Sequence, residues 1–126
     1  MNAHALAQNA YVQAASSTRT ARDTEYRVLA RISHRLRAAA KEKGPTAFPK
    51  LAEALVENRN LWDTFAVDVA HPENGLPQEL RAQIFALAQF VNAHTVKVLA
   101  REAKVGPLLE INAAILKGLS AKGKNP

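Results

Sequence analysis

The sequence predicts an all-α protein, a compact antiparallel helical bundle of about five helices, three long (about 18–43, 47–70 and 77–103) and two short. Three observations predict it. Apolar residues recur three and four positions apart through most of the chain, the spacing of one helix face. No stretch sustains the two-residue alternation of a strand, and the Asn74-Gly75 pair lies between helical patterns rather than β-branched runs. Gly44-Pro45, the segment from His71 to Pro77, and Gly106-Pro107 interrupt the pattern where helices should stop.

Each element follows from its own residues. Residues 3–15 are alanine-rich and short, so the first helix is weak, and residues 1–16 are expected to be loosely held. Ser16-Ser17-Thr18 offers a break and an N-cap, with Asp23 and Glu25 near the positive end of the next helix. That helix aligns Ala21, Glu25, Val28/Leu29, Ile32, Leu36 and Ala39 into one stripe and stops at Gly44-Pro45. The third begins near Thr46–Pro49 with the seam Leu51, Leu55, Asn58, Trp62, Phe65 and Val69. The fourth opens at Pro77 and carries Leu80, Ile84, Leu87, Val91, Thr95 and Val98. Its middle, with Phe85, Ala88 and Phe90 as well, is apolar on nearly every side and predicts the most buried helix. Gly106-Pro107 opens the last, which aligns Leu108, Ile111, Ile115 and Leu119 before a tail over 120–126 expected to fray.

The 126 residues fit one domain spanning 1–126. Hydrophobic residues make up 48% and charged residues 22%, enough apolar material for a core without staples. The absence of cysteine removes disulfides, thiol nucleophiles and thiolate metal sites. No signal-peptide pattern opens the chain, and no window approaches the ~18 apolar residues of a membrane span. A soluble, cytoplasmic protein with no membrane partner is expected. The formal charge of +6 is uneven: residues 1–43 hold eight Lys/Arg against three Asp/Glu, the remainder nine against eight.

Catalytic equipment is not visible. His4, His34, His71 and His94 are scattered, with no acidic or second histidine partner three or four residues after any of them. Serines 16, 17, 33 and 120 lack a Gly-flanked elbow. Glu53 and Glu57 share a helix face, but no Glu-x-x-His answers them, so they read as a solvated pair. No catalytic residue, metal site or cofactor is expected, and the chain reads as a binding protein, not an enzyme.

Two features stand out. Arg27, Arg31 and Arg35 lie four apart, and the latter two have no acid one turn away. They form either a solvated basic face or a landing strip for an acidic protein or an RNA backbone. Trp62 and Phe65 sit on an apolar seam and Tyr26 is the lone aromatic in the basic helix, which disfavours single-stranded RNA. The second feature is a polar stretch in an apolar seam, Glu57-Asn58-Arg59-Asn60-Leu61-Trp62-Asp63, where Arg59 and Asp63 are spaced to pair. Trp62 beside Asn58 is either a core anchor with its N–H satisfied or a binding hot spot. With Phe65 and the surplus aromatics Phe85 and Phe90, the partner-binding candidates are Asn58, Arg59, Trp62, Phe65, Phe85 and Phe90.

Several stretches together resemble a known family. They are Thr18 to Glu25, Leu55 to Asp68 around Asn58-Arg59-Asn60-Leu61-Trp62, Pro72 to Ala82, Phe90 to Leu99, and Ile111 to Leu119. In that order they resemble FlaF, the flagellar biosynthesis regulator of alphaproteobacteria, over nearly the whole chain. Tyr26-Arg27 departs from the small residue expected after Glu25. The resemblance implies a cytoplasmic protein needed to make and export flagellin. It would act as a flagellin-binding secretion chaperone or a positive regulator of flagellin translation, often alongside the opposing regulator FlbT. It carries over no catalytic residues. An adaptor for another flagellar regulator is a further reading.

Overall fold

A computed structural model describes residues 24–124. Among them are four helices and no strand: α1 over 24–41, α2 over Ala47–Ala70, α3 over Gln78–Leu99 and α4 over Gly106–Lys124. The all-α class stands, with four helices among the described residues against about five expected for the whole chain. The expected short helix over 3–15 and the start of the next fall outside the described residues.

The helix ends show why the chain breaks where it does. After α1, Gly44 takes φ +97°, a conformation that L side chains rarely adopt. Pro49 is tolerated in the first turn of α2, where its missing N–H would have had no partner. At the far end of α2, carbonyls that the helix cannot satisfy are met from beyond it. Arg81 donates from Nε to the Val69 carbonyl at 2.8 Å and from Nη2 to that of His71 at 2.9 Å. Asn74 Nδ2 donates to the Asp68 carbonyl at 2.9 Å, and Asn74 Oδ1 accepts from the Leu76 N–H. The Asn-Gly loop is therefore a built hinge between α2 and α3.

The third long helix ends at Leu99, short of the expected residue 103. Ala100 caps it, and Arg101 follows in the left-handed region at φ 64°. The Arg101 N–H donates to the Val98 carbonyl at 2.9 Å, and the Glu102 N–H reaches back to Lys97 at 2.8 Å. This paired closure satisfies the last carbonyls and stops the helix without a glycine. The Arg101 guanidinium lies 4.2 Å from the Phe48 ring centroid, a contact that offsets part of the left-handed strain. The last helix, α4, is longer than expected and runs to Lys124, including residues 120–124 of the segment read as a tail.

Packing is antiparallel, as cross-helix contacts show. Phe48 meets Arg101, Asp63 meets Asn92 and Val69 meets Arg81, so α3 descends as α2 rises. Arg35 with Glu57 and Glu42 with Lys50 give the same sense to α1 against α2. The core joins Leu36, Ala54, Leu55, Trp62, Ala88, Val91, Val98 and Leu108. The helix over 78–99 is not buried on every side as expected. It buries Ala88, Val91, Thr95 and Val98, whereas Phe85 and Phe90 are 42% and 44% exposed. A helix packed along one stripe cannot hide residues lying on its opposite face.

Replacing Gly44 with alanine should cost about 1–2 kcal/mol, because φ is strained for any side chain. A Cβ there meets nothing within 4 Å, so the loss comes from the backbone alone. Urea unfolding followed by far-UV circular dichroism would show the lowered midpoint.

Candidate functional site

The polar stretch of α2 turns inward. Asn58 and Trp62 sit one turn apart on its buried face, and α4 brings Asn112 against both. Trp62 Nε1–H donates to Asn112 Oδ1 at 2.9 Å, and Asn112 Nδ2 donates to Asn58 Oδ1 at 2.7 Å. All three residues are 0% exposed. Phe65 supports the tryptophan edge-to-face, with ring centroids 5.3 Å apart. Trp62 is thus a core anchor with its N–H satisfied, and neither it nor Asn58 offers a surface to a partner in this fold. Asn58 Nδ2, together with Ser33 Oγ and Glu57 Oε1, is buried without a protein partner.

The other residues proposed from sequence are dispersed. Arg59 is half-buried but does not pair with Asp63, whose carboxylate instead accepts from Asn92 Nδ2 of α3 at 2.8 Å. Phe65 belongs to the edge of the core. Phe85 and Phe90 remain accessible, on α3 positions about 140° apart around the helix axis. The six candidates therefore form no single groove.

The arginine stripe also changes. Arg27, Arg31 and Arg35 are all exposed on α1, but Arg35 Nη1 donates to Glu57 Oε2 at 2.9 Å. The acid missing one turn away is supplied by the neighbouring helix. Arg27 and Arg31 remain as a pair of adjacent turns.

The accessible feature that the fold creates is the outer face of α3. Ala82, Phe85, Ala86, Gln89, Phe90, Ala93 and Val96 are all exposed, and no Asp, Glu, Lys or Arg occurs between Arg81 and Lys97. Val96 is 59% exposed. At one edge His94 Nε2 donates to the Lys104 carbonyl at 2.7 Å, and its ring stacks on Phe90 at 5.3 Å. A surface helix normally carries charge on its solvent side, so an uncharged outer face fifteen residues long suits contact with another apolar surface.

Sequence reasoning passed over Asn112, Arg81 and Asn92. Asn112 was legible by the signal that marked Asn58, a polar residue in line with Leu108, Ile111 and Ile115 on an apolar face. Arg81 and Asn92 bond across helices, and no local spacing announces such partners. Among the described residues, no group of three His, Cys, Asp or Glu is placed to hold a metal ion. No described helix is long and apolar enough to cross a membrane.

A family model for the flagellar protein FlaF matches residues 7–119. The chain belongs to the FlaF family. The match spans nearly the whole chain, including the Asn58–Trp62 seam, the Pro72–Ala82 hinge and Asn112. The FlaF-family resemblance drawn from those stretches therefore holds, and the protein is a flagellar one. No curated protein and no solved structure gives a match. Within this FlaF-family chain, the seam and hinge residues have structural work to do: they join α2 to α4 and α2 to α3.

Replacing Asn112 with alanine should destabilise the fold by about 2–4 kcal/mol, since Trp62 Nε1 and Asn58 both lose their buried partner. Arg35→Ala should cost under about 1 kcal/mol, because its ion pair is solvent-exposed. Trp62, the sole tryptophan, gives a direct fluorescence readout of both unfolding transitions.

Proposed function

We propose that this FlaF-family protein is a cytoplasmic binding protein for unassembled flagellin, without catalytic activity, that keeps flagellin competent for export and promotes its synthesis. The observation that carries the reading is the exposed, uncharged outer face of α3, from Ala82 to Val96. An amphipathic helix of the client would lay its apolar side along such a face, with Phe85, Phe90 and Val96 as anchors. The aromatic pair flanks alanines 82, 86 and 93, which let a second helix approach closely. Family membership supplies the flagellar context. Isothermal calorimetry with purified monomeric flagellin should show binding. Phe90→Glu should weaken it by about tenfold or more while leaving the circular dichroism melting curve nearly unchanged. Absence of heat with monomeric flagellin would overturn the reading.

The exposed Arg27–Arg31 pair favours a second reading, an RNA-binding regulator of flagellin translation. Affinity for flagellin leader RNA should then fall steeply with salt and with Arg27→Glu and Arg31→Glu. If leader RNA binds weakly and charge reversal changes nothing, the pair is a solvated face. Action as an adaptor, including a functional link to FlbT, would show as capture of that regulator in a pull-down that lacks flagellin.

A further inference from the structure

We propose that, when no client occupies it, the outer face of α3 packs antiparallel against the same face of a second copy of the chain. Phe85, Phe90 and Val96 are large, apolar and 42–59% exposed on one helix, and no charged side chain separates them. What would cover them follows from the charges at the two ends of the face. The acidic residue of the first turn of α3 is Glu79, and the basic residue of the last turn is Lys97. Antiparallel pairing brings Glu79 of each copy toward Lys97 of the other, twice over by symmetry. Parallel pairing would set Glu79 against Glu79 and Lys97 against Lys97, and would align the helix dipoles unfavourably. The net charge around this face is also low. Of the formal charge of +6, residues 1–43 carry +5 (eight Lys/Arg less three Asp/Glu), which leaves residues 44–126 at +1.

The contact runs about 21 Å along the helix, from Ala82 to Val96. One helix face lies at the low end of stable interface sizes, so the dimer is expected to be concentration-dependent.

Sedimentation velocity of the full chain without flagellin, over a concentration series, tests the proposal. A monomer–dimer equilibrium is expected, and the Phe85→Glu/Phe90→Glu variant should shift it toward monomer by at least about tenfold. Charge variants report the orientation and do not touch the core. Glu79→Lys and Lys97→Glu should each weaken the dimer, and the two together should restore it, because opposite charges then face each other again. A chain that stays monomeric at high micromolar concentration overturns the proposal. A dimer indifferent to the phenylalanine changes places the interface elsewhere and also overturns it. A dimer that the double charge exchange fails to restore overturns the antiparallel arrangement. None of these readings involves flagellin, so they stand or fall separately from client binding.

Discussion

The run from Trp62 through Asn112 to Asn58 is the contact that sets α2 against α4 across the core. An indole N–H and two amides have been taken wholly out of water, and each unmade bond there would cost about 1–3 kcal/mol. Apolar side chains slide past one another at little cost, but these three groups meet in only one register of α2 against α4. Sliding either helix by a turn would leave the tryptophan donor and both amides without partners. The surrounding Leu55, Val91 and Leu108 supply most of the apolar burial. The polar run selects among the ways in which that burial could be achieved.

The third helix is held by different means. Its N-terminal end is tied to the last carbonyls of α2 by Arg81, its middle by the Asn92–Asp63 bond, and its C-terminal end by Arg101 over Phe48. These ties lie at three heights along one antiparallel pair. They fix the rotation of α3 about its own axis as well as its position. With Ala88, Val91, Thr95 and Val98 committed inward, Phe85, Phe90 and Val96 have to face out. The exposed apolar face is thus a consequence of how the helix is anchored, and it is presented on a rigid support. Sites on such elements need little ordering when a partner arrives.

The two candidate surfaces differ in chemistry and in location. The α1 face carries Arg27 and Arg31, while Arg35 is drawn into an ion pair with α2. The α3 face carries no formal charge from Ala82 to Val96. The apolar face of α3 and the exposed Arg27 and Arg31 of α1 thus lie on different helices. This separation favours α3 for tight contact with a protein, because buried apolar area supplies affinity and exposed charge mainly supplies steering.

The helical class, the α2 boundaries, the break at Gly44 and the stop at the Asn74-Gly75 loop can be read from the residues alone, because periodicity, glycine and proline act over a few residues. The sequence also marked Asn58 and Trp62 as unusual, and left open whether they face the core or a partner. The packing of α4 answers that question, by bringing Asn112 from about fifty residues downstream into hydrogen-bond reach. Tertiary structure likewise gave Arg35 an acid from another helix, took Asp63 away from Arg59, and turned the aromatic surplus of α3 outward. A hydrophobic pattern shows that a helix has apolar residues to bury. Which of them are covered depends on how many neighbours arrive and from which side, and that is settled by contacts between residues far apart in the chain.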